Sequence, residues 1–172
     1  FLLLFIFLVA NSTGQVFNKA KMDSLMTLLS EKDKAMGSLA ISKNGTVIYS
    51  NTIGYASVKG ENKIPATNQT KYRIGSVTKM FTAVIIFQLI EENKLTLVNT
   101  LDKYFPTIPN ASKINIGHLL SHRSGIHNFT DDSLFLTYNQ TAKSQKEMIS
   151  IITSSPPDFE PNTETAYSNT NY

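Results

Sequence analysis

Met80-Phe81-Thr82-Ala83-Val84-Ile85-Ile86-Phe87-Gln88-Leu89-Ile90 is broken only by Thr82 and Gln88. A helix through these residues is apolar on nearly every face, so the stretch predicts a helix buried on most sides, the core of its domain rather than its surface. Directly before it stand Arg73-Ile74-Gly75-Ser76-Val77-Thr78-Lys79. Residues three apart share a helix face, so a helix that starts near Ser76 sets Lys79 beside it while the apolar body anchors both. Ser76 is a candidate nucleophile and Lys79 its candidate activator.

The rest of the chain supplies enough material for one domain around that helix. Its 172 residues are 41% hydrophobic and 17% charged, an ordinary globular balance. The 16 Lys and Arg are scattered rather than gathered on a stripe and exceed the 13 Asp and Glu by only three, which argues against nucleic acid as a partner. Without cysteine, disulfide frameworks and thiolate chemistry drop out. Residues 1–10 are uninterruptedly apolar, too short a run to cross a hydrocarbon core of about 30 Å as a helix. They fit the apolar region of an export signal, with Ser12 and Gly14 as a small-residue cleavage site before Gln15. Residues 1–14 are therefore expected to be a partial signal peptide, lacking the initiator Met and basic start, and the protein to be exported, periplasmic or secreted, with no stable membrane span once the signal is removed.

Further along, Met22, Leu25, Met26 and Leu29 recur at helical spacing and predict a surface helix over 17–30. Asn44-Gly45, the pair best suited to two positive φ angles, predicts a hairpin of strands 38–43 and 46–53. Residues 54–70, with Gly60, Pro65 and many polar side chains, read as loop. Asn93 is a plausible stop for the apolar helix. Two shorter helices are expected over 116–122, ended by Ser124-Gly125, and over 147–152, closed by Pro156-Pro157.

A serine hydroxyl is a weak nucleophile near neutral pH and needs a base beside it. The first turn of a helix favours developing negative charge, and Lys79 is within reach of Ser76. Its ordinary pKa of about 10.4 must fall before it acts as a base; otherwise it stabilises an anion nearby. The same two residues also fit an N-cap serine and a solvent-facing lysine. Tyr167-Ser168-Asn169 adds a phenol able to relay a proton with a lysine, and an amide, Asn169, able to orient Lys79 and a substrate amide. The triplet recurs as Tyr49-Ser50-Asn51, but Tyr49 belongs to a strand alternation, whereas Tyr167 follows the irregular 156–162 stretch, where binding groups are commonly presented. Other readings compete. His118 and His122 have an i, i+4 zinc spacing, with Leu119 where a glutamate would be needed. A Ser-His-Asp triad from Ser76, one of His118, His122 or His127, and one of Asp102, Asp131 or Asp132 satisfies the residue types. Asn44, Asn68, Asn110, Asn128 and Asn139 match N-x-Ser/Thr in a chain rich in those residues.

The order of four blocks resembles the serine β-lactamase and penicillin-binding protein superfamily, in particular its class C and D-alanyl-D-alanine carboxypeptidase-like branch. They are Tyr72-Arg73-Ile74-Gly75-Ser76-Val77-Thr78-Lys79, Asn93-Lys94-Leu95-Thr96-Leu97, His118-Leu119-Leu120-Ser121-His122-Arg123-Ser124-Gly125-Ile126 and Tyr167-Ser168-Asn169-Thr170-Asn171-Tyr172. The resemblance implies Ser76 as acylated nucleophile, Lys79 as its partner, Tyr167 as general base and Asn169 as substrate-binding amide, with no metal and no cofactor. It implies an α/β (α+β) β-lactamase/transpeptidase-like fold: an antiparallel sheet flanked by helices, with a helical subdomain. The expected substrate is a small molecule or peptide, a β-lactam, a D-Ala peptide or an ester; the contrasting implication is a catalytically silent homologue that holds cell-wall peptide. The family's Lys/His-Thr-Gly strand, which carries a second oxyanion donor, has no counterpart between Tyr167 and Tyr172. Loss of such a donor costs about 2.7–4 kcal/mol of transition-state stabilisation, so residues 15–172 are expected to be the N-terminal part of a longer hydrolase domain, inactive alone, with the C-terminal strands lying further on. Asn162 stands where the family usually has Gly, and Gly117 where a larger residue is usual.

Overall fold

A computed structural model describes residues 16–172; the expected signal segment, 1–14, lies outside the described residues. Two compact units divide the chain, one up to Arg73 and one from Ile74.

In the first unit, α1 (Lys19–Glu31) is capped by Asn18, whose side chain accepts from the Lys21 amide at 3.0 Å. Strands β1 (Gly37–Lys43) and β2 (Thr46–Ile53) pair antiparallel with a bulge at Ile41/Ser42. Their turn is the expected one, with Asn44 at φ +50 and Gly45 at φ +77. Tyr49, 3% exposed, packs on Phe17 and donates its hydroxyl to Asp23 of α1 at 3.0 Å, so this copy of the Tyr-Ser-Asn triplet ties strand to helix. The stretch read as loop instead contains a second antiparallel hairpin, β3 (Tyr55–Lys59) with β4 (Asn62–Pro65). Its two-residue turn is Gly60-Glu61, with Gly60 at φ +58. A glycine opening a two-residue loop is itself a hairpin signal, here masked by the polar strand residues around it.

In the second unit, one 3-10 turn, Gly75–Val77, leads into α2 (Thr78–Glu91). Asn93 ends the helix at φ +57, with its amide donating to the Ile90 carbonyl and that of Lys94 to the Leu89 carbonyl. The expectation that α2 forms the core is corrected: none of its residues is buried, and Met80, Phe81, Val84, Ile85 and Phe87 are exposed. The core of this unit lies instead after the helix, in Leu101, Ile108, Ala111, Ile114 and Ile126, with Phe105, Leu119, Ile149 and Ile152 packed against it. The physical reason is one of coverage. Apolar composition sets what a helix can bury, but the described residues offer no element over the outer face of α2.

Short elements surround that core. α3 (Ile116–Leu120) is capped reciprocally by Asn115 and His118, α4 spans Phe135–Tyr138, and α5 (Gln145–Thr153) carries a Ser144/Glu147 capping box. The elements are thus helices and small antiparallel sheets, an α+β arrangement. From Asp158 onward the chain is irregular and lies along the loop after α3. The Asp158 amide donates to the Gly125 carbonyl at 2.8 Å, and a Cβ at Gly125 would collide with the Phe159 carbonyl oxygen. Gly125 also has φ +73. Substituting Gly125→Ala therefore both strains the backbone and forces the two segments apart; chemical denaturation should show a loss of about 2 kcal/mol or more.

Candidate active site

Ser76 stands in the 3-10 turn, and Lys79 one turn later on α2. The Ser76 hydroxyl is not used as a helix cap. Its Oγ lies 2.6 Å from the Tyr167 hydroxyl and 3.3 Å from Lys79 Nζ. Lys79 Nζ donates to Asn169 Oδ1 at 2.7 Å, and the Tyr167 hydroxyl donates to the same oxygen at 3.1 Å. All four residues singled out in the sequence thus meet, two from the start of α2 and two from the irregular C-terminal segment. The Lys79 ammonium also faces the rings of Tyr167 and Tyr172, 5.0 and 5.7 Å from their centroids. A cleft of ≈ 380 Å³ opens beside it, lined in part by Gly75, Thr78, Phe129, Met148 and Asn169.

Lysine has only donors, so the oxygen of the Asn169 amide must be the atom facing it. The opposite end of that amide agrees: Nδ2 donates to Thr130 Oγ1 at 3.0 Å, Thr130 donates to Asn128 Oδ1 at 3.0 Å, and Asn128 Oδ1 also accepts the Asn169 backbone amide at 2.9 Å. Asn128 is buried, which makes this a fixed cradle. Nearby, Thr170 donates to the His127 carbonyl at 2.6 Å, and the buried Ser124 hydroxyl donates to the buried Asn171 side chain. Arg123 clamps the incoming chain, with Nε on Asn162 Oδ1 at 2.8 Å, Nη2 on the Asn162 carbonyl at 2.7 Å and Nη1 on Thr165 at 2.9 Å. Asn162 has φ +70, a left-handed conformation that asparagine tolerates. Sequence reasoning missed Asn128, Thr130, Thr170 and Asn171 as supporting residues. Their only signal was position within or next to the matched blocks.

Lys79, and after it the Ser76 hydroxyl, hold the Tyr167 phenol below its ordinary range. A phenol so placed is a better resting acceptor for the serine proton. The other histidine and aspartate readings meet a different geometry. Asn115 donates its backbone amide to His118 Nδ1, and Ser168 donates its own to His122 Nδ1, so each ring serves a separate local bond. No histidine bonds to Ser76; its hydroxyl partners are Tyr167 and Lys79. The Asn128 side chain of one N-x-Ser/Thr match is buried in the cradle. Residues 22–172 match the family model described as Beta-lactamase. Penicillin-binding protein 4* of Bacillus subtilis (strain 168) is 29% identical over 90% of this chain and 34% of its own length. Teichoic acid D-alanine hydrolase of Staphylococcus aureus is 31% identical over 62% of the chain and 26% of its own length. The crystal structure of D-amino acid amidase from Ochrobactrum anthropi SV3, complexed with L-phenylalanine amide, superposes with a TM-score of 0.71 at 26% identity, over 88% of this chain and 42% of that one. The chain spans about a third or less of the length of these curated relatives.

One further ion cluster braces the cradle. His127 Nδ1 lies 2.7 Å from Asp158 and Nε2 3.2 Å from Asp132. Asp158 foremost raises the His127 pKa above its ordinary value, against a smaller opposing effect of burial. The charged imidazole is thus favoured in the folded state. Its stabilisation is complete below the unfolded value of about 6.5 and is lost as pH rises through the raised folded value. His127→Gln should therefore lower Tm more at about pH 5.5 than at about pH 9, a difference that thermal unfolding at the two pH values reads directly.

Proposed function

Since the chain belongs to the beta-lactamase family, we propose that it carries the acylating half of an exported serine hydrolase. The observation that carries the reading is the 2.6 Å contact between Ser76 Oγ and a Tyr167 phenol held low by Lys79. In this mechanism Tyr167 reacts as its phenolate, taking the Ser76 proton while Ser76 attacks the carbonyl carbon of an amide, ester or β-lactam. Lys79 already donates to Asn169 and Ser76, which suits an ammonium that stabilises the phenolate better than a second base. The tetrahedral oxyanion is met by the Ser76 backbone N–H and a second donor from further along the polypeptide. Tyr167 then returns the proton to the leaving group and is phenolate again; it takes a proton from water as that water attacks the acyl group, and passes it to Ser76 Oγ as the serine is released.

Asn169, fixed between Lys79 and Thr130, orients the substrate beside the cleft. The substrate class is a small acyl compound with a D-amino acid or lactam carbonyl, in keeping with the amidase, the D-alanine hydrolase and the penicillin-binding protein among the relatives. Residues 15–172 form the N-terminal part of one hydrolase domain, whose further strands cover the apolar outer face of α2. Export through the signal segment at 1–14 delivers the enzyme to such substrates outside the cytoplasm; among the described residues, no helix is long and apolar enough to cross a membrane.

The complete polypeptide, treated with a fluorescent penicillin or a fluorophosphonate, should acquire one adduct, at Ser76, and Ser76→Ala should acquire none. Tyr167→Phe should acylate about 10²–10⁴-fold more slowly while folding normally. A folded protein that forms no adduct with either probe and hydrolyses no ester would sink the enzyme reading.

A further inference from the structure

His122 follows α3 at φ +56, a left-handed conformation that glycine or asparagine adopts more readily. Its ring lies against Tyr167, with centroids 4.7 Å apart, and against Tyr172 at 5.4 Å. Its Nδ1 is approached by two groups, the Ser168 backbone amide at 3.2 Å and Asn171 Nδ2 at 3.1 Å. The direction of each bond follows from its neighbours. The Ile126 amide can only donate, and it donates to Ser124 Oγ at 3.1 Å. The Ser124 hydrogen is then free to bond Asn171 Oδ1, which turns Asn171 Nδ2 toward His122. Ser168 N–H is a donor in its own right. Two donors therefore converge on Nδ1, which carries no proton; the ring is the neutral Nε2–H tautomer.

We propose that His122 is a positioning residue for Tyr167: its unprotonated Nδ1 anchors the backbone just after the phenol, its ring backs the phenol's face, and a proton at Nδ1 releases both. The proposal rests on the assignment of Ser76 and Tyr167 as the reacting pair. Protonation at Nδ1 replaces an acceptor by a donor and breaks both bonds at once. It also adds a cation near Lys79, the charged group that faces this ring; Tyr167 and Tyr172 are the titratable groups packed on it, and Arg123 on the same loop is turned away to Asn162 and Thr165. Burial first, and Lys79 second, push the His122 pKa below its ordinary value, so the anchor holds through neutral pH and fails only in acid.

Two substitutions separate anchoring from packing. His122→Asn suits the left-handed backbone and offers an acceptor oxygen near the Nδ1 position, but cannot take up a proton. His122→Phe keeps an aromatic face and lacks the acceptor. In the complete polypeptide, acylation by a p-nitrophenyl ester should fall no more than about threefold in His122→Asn and about 10–100-fold in His122→Phe. In acid the wild-type rate should steepen from about tenfold to about 100-fold loss per pH unit as a second proton binds, and His122→Asn should keep the shallower limb. Amide hydrogen exchange across 166–171, which needs no activity, should quicken in His122→Phe and not in His122→Asn. Equal exchange in the two variants, or an acid limb unchanged by His122→Asn, overturns the proposal. If the wild type is not acylated at Ser76 yet the exchange contrast appears, the anchor stands and the hydrolase reading falls.

Discussion

The geometry of the candidate site depends on a polar seam between the loop after α3 and the C-terminal segment. Ser124, Asn128, Ser168 and Asn171 are all buried along it. A buried polar group left without a partner costs about 1–3 kcal/mol; Ser124 and Asn128 are matched to Asn171 and the Asn169 amide across the gap, while Ser168 Oγ accepts from Thr170 on its own segment. A sliding of one residue would orphan several of these groups together. An apolar seam would tolerate such a shift with little penalty, because dispersion contacts are not directional. The close backbone approach at Gly125 removes the remaining freedom. Tyr167, which lies in irregular chain, and Asn169, which opens the last 3-10 turn, inherit their coordinates from this register.

The two halves of the site are built by different means. Ser76 and Lys79 sit one turn apart at the start of α2, where the spacing is set by helical geometry and little else is required. Tyr167 and Asn169 arrive on an irregular strand and need the seam, the Arg123 clamp and the Asn128–Thr130 cradle. Lys79 joins the halves. Its ammonium bonds Ser76 and Asn169 and faces two aromatic rings, so the one cation sets both the orientation of the amide and the acidity of the phenol.

This division also governs what could be read from the residues alone. Features fixed by local geometry were legible: the Asn44-Gly45 turn, the Asn93 helix stop, α1, α5, and the Ser76/Lys79 pair. Tyr167 and Asn169 were singled out by their chemistry and irregular context and then by the order of motif blocks, since their approach to Ser76 and Lys79 depends on the tertiary fold. The Gly60-Glu61 hairpin was missed because its strands are short, β4 is exposed throughout, and polar Lys59, Asn62 and Lys63 flank the turn. The composition of α2 was read correctly as apolar, but burial requires a covering surface, which composition does not supply. Asn128, Thr130 and Asn171 were invisible for a related reason: short polar side chains acquire roles only from the partners that folding brings to them.

The contacts that create the site close very long loops. Ser76 and Tyr167 are 91 residues apart, and Lys79 and Asn169 are 90 apart. Joining such distant points carries a large entropic penalty that is recovered only after the intervening elements have condensed. The turn bearing Ser76 and the helix bearing Lys79 rest on local contacts, whereas the phenol reaches them only through long-range ones. In a partly unfolded chain Ser76 and Lys79 therefore lack the Tyr167 and Asn169 partners that the fold brings to them. With Ser76 as the proposed nucleophile, acylation at this position would double as a reporter of completed topology.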